Sequence, residues 1–191
     1  MAITAQLITT AATQVALPAV VGPSSGNAVT SIMICNYSAS QDSATVYAVP
    51  STTQAVTVSS STGSSITLSA PVSLTQNQAV VFASSFGSVV ASTIYYVYAS
   101  TSASATFSIS SVLTGTSAFS VGTGGTGSAT IYNTVGTASN TNMIVSALPI
   151  PAGETVSLDQ EKLVLGLGDS VFVKSATSSS AMNIVISTLP V

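Results

Sequence analysis

The chain has 191 residues, enough for one large or two small domains, and 46% of them are apolar, but only 4% are charged against roughly 25% in ordinary soluble domains. Its two Lys cannot make the phosphate-neutralising footprint of a nucleic-acid binder, and there is no Arg or His to help them. Ample hydrophobicity at a formal net charge of −3 excludes ordinary intrinsic disorder, and no apolar run reaches the ~18 residues that span a bilayer.

Period-2 alternation rich in Val, Ile and Thr, broken by Gly, Pro, Ser and Asn, predicts strands along the whole chain. The opening MAITAQLITT lacks the basic start and continuous apolar core of a signal peptide, so export by the usual route is not expected. Its alternation predicts a strand over Ala2–Thr9, followed by Thr13–Leu17, Ala28–Asn36 and Ser43–Val49. The third of these strands holds the single cysteine, Cys35, which has no disulfide partner and no His to activate it. It reads as a buried core residue. Strands continue at Gln54–Ser59, Ser64–Ser69, Gln78–Ser84, Thr93–Ala99, Ala105–Ser111, Ser117–Val121 and Ser128–Asn133. The last group is Asn140–Leu148, Glu154–Leu158, Lys162–Leu165, Asp169–Ala176 and Met182–Thr188, with Asp159–Leu163 as the one place for a helical turn. Short strands at close spacing predict an all-β chain built as antiparallel β-sandwich, immunoglobulin-like or jelly-roll-like.

Charge is unevenly placed. Residues 43–153 carry no charged side chain, while six of the seven charged residues lie between Glu154 and Lys174. This shift in composition, with the Ser, Thr and Gly richness of the uncharged stretch, predicts a small β domain at 54–133 inserted in a hairpin of a discontinuous outer sandwich, 1–53 and 134–191. Ser and Thr make up 62 residues, so the surface is hydroxyl-rich and short of the Lys that usually guards sheet edges. Much of that surface is therefore expected to be covered by partner subunits.

Two stretches of the outer segments carry a resemblance. GNAVTSIMICNYSASQDSATVYAVP, Gly26–Pro50, is a hydrophobic strand ending in Cys-Asn, a Ser-rich turn and a strand ending in Val-Tyr-Ala-Val. LPIPAGETVSLDQEKLVLGLGDSVFVKSA, Leu148–Ala176, has Pro-Ala-Gly-Glu-Thr, a Leu-Val-Leu run and Gly-Asp before a closing strand. They resemble a β-sandwich module of bacteriophage structural proteins, of the capsid decoration and tail-associated type. The stretch Ser64–Ser100, with its Ile-Thr-Leu, Val-Val-Phe, Phe-Gly and Tyr-Tyr-Val elements, resembles a second such module, with Asn77-Gln78 where a Gly often stands. Read physically, Pro151-Ala152-Gly153 is a tight turn and Gly168-Asp169 a hairpin turn. Leu163, Leu165, Val171 and Val173 supply core, with Asp169 and Lys174 in solvent.

Chemistry is sparse. With no His, the serines lack an activator, and Lys162 and Lys174 are the only bases for a Ser-Lys pair. Asp159 and Glu161 have the two carboxylates of a glycosidase, but there is no Trp for sugar stacking and a solvated turn accounts for them. Asp159, Glu161 and Asp169 could gather around calcium, though no calcium-loop motif is present. GTGGTG, Gly122–Gly127, precedes a β segment rather than a helix and has no basic residue near it, so it reads as a flexible hairpin tip. Asn36-Tyr37-Ser38 fits the glycosylation pattern. Tyr95, Tyr96 and Tyr98 lie on one strand, Tyr96 and Tyr98 on a shared face, as candidate interface or ligand contacts; the simpler reading is one core face and one surface tyrosine.

These residues predict a non-enzymatic protein with no catalytic, metal or cofactor site, no nucleic acid and no membrane. The resemblance implies a virion structural protein assembled in the host bacterial cytoplasm. In the first form it is a capsid decoration (cement) protein that packs as a homotrimer against the major capsid or other virion proteins. In the alternative it is a tail, neck or fibre-associated adhesin whose inserted domain meets a host glycan.

Overall fold

A computed structural model describes residues 1–15, 17, 22, 25–99, 101–113, 115–133, 138–158, 163–177 and 181–191. Among these the chain is all-β and antiparallel, with no helix. It divides into two compact units: one takes residues 1–20, 25–51 and 134–191, and the other takes 21–24 and Thr52–Asn133.

The first unit is a sandwich of two sheets. Sheet A holds β1 (Ala2–Ile8), β16 (Met182–Pro190), β3 (Asn27–Asn36) and β13 (Thr155–Leu158) in that order, with β14 (Leu163–Leu165) pairing with another part of β3. Sheet B holds β12 (Met143–Ile150), β4 (Asp42–Val49), β15 (Ser170–Ser175) and β2 (Thr13–Val15). Side chains alternate across a strand, so one parity of each strand meets the other sheet. Ile8, Ile32, Ile34, Ile184 and Ile186 from sheet A and Val46, Ile150, Val171 and Val173 from sheet B form one cluster, every member essentially fully buried.

A bulge decides which parity of β3 is inside. Ser187 stands opposite Ser31 and Thr188 opposite Val29, which leaves Thr30 as the extra residue; its hydroxyl donates to the Ser187 carbonyl at 3.2 Å. Beyond the bulge Ile32, Ile34 and Asn36 point inward. Cys35 therefore lies half-buried on the outer face, not in the core where the sequence suggested it.

The tight turn expected at Pro151–Gly153 and the turn at Gly168-Asp169, expected to close a hairpin, both carry the chain from one sheet to the other. Pro151–Glu154 joins β12 of sheet B to β13 of sheet A, with the Glu154 N–H donating to the Pro151 carbonyl at 3.2 Å and Gly153 at φ 73°. Gly166–Asp169 joins β14 to β15 in the same way, with Gly168 at φ 84°. In both, only a glycine takes the left-handed third position without strain. The strand on the sheet A side of each turn, β13 or β14, pairs with β3 instead of with its neighbour in sequence.

The second unit is a single seven-stranded sheet curled into a half-barrel. Its order is β10 (Ile109–Ser110), β8 (Ile94–Val97), β7 (Ala79–Phe82), β11 (Gly127–Asn133), β5 (Thr52–Thr62), β6 (Ser65–Leu74) and β9 (Thr101–Phe107). Only Ser108 separates β9 from β10, so one run of chain serves both ends of the sheet. Val58, Ile66, Val80, Phe82, Val97, Ile109 and Ile131 fill the curl. Residues 117–121, expected as a strand, run irregularly but still seal the core. Phe119 N–H donates to Ile109 O at 2.7 Å and Val121 N–H to Gly63 O at 2.8 Å, and Val121 is fully buried. GTGGTG is not a free tip either. Gly124 N–H donates to Ser61 O at 3.1 Å and Gly125 N–H to Ser61 Oγ at 2.9 Å, so the loop lies along the turn end of the β5–β6 hairpin.

Candidate interaction surface

The outer face of sheet A is the feature that stands out. β1 presents Ile3, Ala5 and Leu7, and these stand opposite Ser187, Val185 and Asn183 of β16. The same residues of β16 pair on their other side with Ser31, Met33 and Cys35 of β3. Farther along, Leu189 stands opposite Ala28, which pairs with Val164 of β14. Ile3 is 65% exposed, Val164 63% and Leu7 52%, with Met33 and Leu189 also exposed. None of the strands in this sheet carries a charged residue. Large exposed apolar groups scattered singly are normal; a set that runs across four paired strands marks a contact surface.

β1 deepens the anomaly. Its parities are Ala2, Thr4, Gln6 and Ile8 against Ile3, Ala5 and Leu7, and the rule for a half-buried strand is to bury the more apolar set. Here Ile8 is anchored in the core, so Thr4 and Gln6 follow it to the inner side and Ile3 and Leu7 are left outward. The first 41 residues contain no charge, and that is the signal in the sequence for this face. What the sequence lacks is the register that assigns each parity to a side.

The tyrosines of β8 are placed differently from one another. Tyr95 is buried in the half-barrel core, its ring 5.8 Å from Phe82 and 5.4 Å from Phe119, and its hydroxyl accepts from Val90 N–H at 3.0 Å. Tyr96 is 7% exposed on the other face of the sheet, opposite Ala79 and Ser110, and burial pushes its phenol above the ordinary range. Tyr98 is half-buried beyond the end of the strand, and its hydroxyl donates to Thr116 O at 3.2 Å. The 116 loop also walls an open cleft of about 510 Å³, lined by Ser88, Ser110, Ser111, Thr116, Ser117, Ser120 and Phe119. A second open cleft, about 390 Å³, lies in the sandwich between Ala48–Pro50, residues 141–144 and β14.

The described ionisable groups are mostly held by local structure. Asp42 is buried at the head of β4. Desolvation would raise its carboxyl, but hydrogen bonds from Ser43 N–H at 2.7 Å, from Thr177 and from Ser175 Oγ at 3.1 Å outweigh it and leave the group below its ordinary value. Asp169, expected in solvent, is half-buried and accepts from Ser51 N–H at 2.7 Å and Gly166 N–H at 2.8 Å. The Lys174 ammonium sits 5.8 Å over the Tyr47 ring. Asp159, Glu161 and Lys162, the candidate carboxylate pair and its neighbouring lysine, lie outside the described residues, as does most of the proposed helical turn. Among the described residues no three metal-ligating side chains gather. Asn36 of the glycosylation pattern is fully buried. Its amide donates to Ser40 O and Ile150 O, both at 2.9 Å, and its carbonyl accepts from Ser38 N–H and Oγ.

Fold and surface together define an antiparallel β-sandwich with a half-barrel inserted in its chain, whose most developed surface feature is an uncharged apolar sheet face. No family model matches the chain, and neither the curated proteins nor the solved structures provide a match.

Proposed function

We propose that this chain is a non-enzymatic structural protein of a bacteriophage virion, of the capsid decoration type, which stabilises a shell by packing against it and against copies of itself. The observation that carries the subunit role is the outer face of sheet A: apolar, free of charge and spread over neighbouring strands. Such a face gains by removal from water at about 25 cal/mol per Å², and it offers no charged group whose desolvation would oppose contact. The virion setting rests on the resemblance of Gly26–Pro50 and Leu148–Ala176 to phage structural modules.

The test is to titrate purified chain onto phage particles and count bound copies. A decoration protein saturates at high copy number and raises the temperature at which the shell is disrupted. Met33→Lys and Val185→Lys, central on the face, should weaken binding at least tenfold while the chain stays folded. Only a few copies per particle would exclude decoration.

The adhesin reading draws on the hydroxyl-lined cleft beside Tyr98, a shape and chemistry suited to a neutral glycan. It predicts that Ser117→Arg abolishes adsorption to host cells and leaves assembly intact. Unchanged adsorption would count against it.

A further inference from the structure

The cleft of the half-barrel, walled by the 116 loop, has hydrogen-bonding capacity to spare. Its volume of about 510 Å³ lies among the roughly 300–1,000 Å³ of small-molecule sites. Three hydrogen bonds hold its wall. Phe119 N–H donates to Ile109 O at 2.7 Å, Val112 N–H to Ser110 Oγ at 3.2 Å, and the Tyr98 hydroxyl to Thr116 O at 3.2 Å. Gly115 lies so close to Ser110 that a Cβ on it would overlap the serine Oγ. The cleft is thus shaped before a ligand arrives, which lowers the ordering cost of binding.

Ser110, 4% exposed, is the most buried residue of the lining. Its oxygen accepts from Val112 N–H, while its own proton goes to no described residue. A buried hydroxyl has a proton to give as well as lone pairs to fill, and here only the second need is met. The hydroxyls of Ser88, Ser111, Thr116, Ser117 and Ser120 likewise bond to no described residue. Val112, 58% exposed, and the half-buried Phe119 supply the apolar part of the lining. No residue from 43 to 153 is charged, so an ion entering the cleft would lose water and gain no counter-charge.

We infer that this cleft binds an uncharged saccharide unit of about two rings, with the Ser110 hydroxyl donating to a sugar oxygen. Serine and threonine hydroxyls both give and accept, as sugar hydroxyls do, and Val112 and Phe119 meet the C–H groups of the rings. The inference rests on the adhesin reading above and adds how the ligand is chosen: neutral sugars enter, whereas sialylated and uronic-acid sugars are refused.

Binding of the full chain to an array of neutral hexose and N-acetylhexosamine oligosaccharides, with sialylated and uronic-acid counterparts, tests it first. Calorimetric titration then follows the best neutral binder, for which a Kd of about 1 mM or tighter is expected, unchanged by salt. Ser110→Ala should weaken that binding about tenfold. Ser117→Arg, which puts a long charged side chain into the cleft, should abolish it and tests the site even if Ser110→Ala fails to fold. Thr57→Arg, at an exposed position outside the cleft, should leave it unchanged. No binding to any neutral sugar, a preference for acidic ones, or equal loss in Thr57→Arg and Ser117→Arg overturns the inference. Saccharide binding lost in Ser117→Arg while adsorption to host cells persists supports it and removes the adhesin reading. Adsorption lost in that variant, although the parent chain binds no saccharide, does the reverse.

Discussion

Asn36 shows how much a single side chain can hold. It sits at the end of β3 with no exposure, and it ties the Ser-rich turn before β4 to the carbonyl that ends β12. Asn36→Ala would take this donor from the buried Ile150 carbonyl and this acceptor from the Ser38 N–H, at about 1–3 kcal/mol for a group left unsatisfied. Chemical denaturation should show that loss, and a variant within ~0.5 kcal/mol of the parent would show that water replaces the amide. Asp42 is the residue through which acid acts on the sandwich. Its folded value lies below its ordinary 3.8, so its stabilising contribution is complete above that value and is lost as pH falls through the lower folded value. The thermal midpoint should therefore drop as pH is lowered below about 3.8 and Asp42→Asn should flatten that part of the profile. An equally steep profile in the variant would assign the acid sensitivity elsewhere.

At the scale of elements, the glycine-rich loop before β11 is structural packing rather than slack. A Cβ on Gly125 would lie 2.2 Å from Cδ2 of Phe86, whose ring stands edge-on to Phe82 at 5.3 Å. Gly125→Ala must displace that ring or the loop and should cost about 1–3 kcal/mol, as overpacked sites do. Differential scanning calorimetry would register it, and an unchanged melt would mean that Phe86 swings aside without loss. The turns at Pro151–Glu154 and Gly166–Asp169 teach a related lesson. Their residue types announce a tight reversal, but a reversal serves equally to pair two strands or to pass between two sheets. Which one occurs depends on where the apolar faces of β13 and β14 find cover, and both find it by pairing with β3.

At the scale of the whole molecule, Thr52–Asn133 is one continuous run with its own core, and its ends are already joined: Thr52 stands opposite Asn133 and Thr53 opposite Tyr132 in the β5–β11 ladder. The fragment 52–133 expressed alone should give a β-type circular dichroism spectrum and melt cooperatively. A spectrum without sheet signal would show that the half-barrel needs the rest of the chain. The scarcity of charge also sets a property of the molecule. With only two Lys and five acidic residues to screen, unfolding midpoints should shift little between low salt and 0.15 M, in contrast to an ordinary charged surface.

By itself the sequence determined the all-β antiparallel class, because period-2 alternation and the density of Val, Ile and Thr are local properties that no tertiary context reversed. It also placed Val171 and Val173 of β15 in the core. The tertiary structure alone decided the rest. In β1 both parities are apolar enough to face inward, and only the anchoring of Ile8 against β16 turns Ile3 and Leu7 outward. In β3 a single extra residue at Thr30 moves Cys35 from the inner side to the outer one. Register is a long-range quantity, set by pairing between residues as far apart as Ala2 and Thr188, and a one-residue change in it exchanges the two faces of a strand. The candidate surface of this protein is made of that choice.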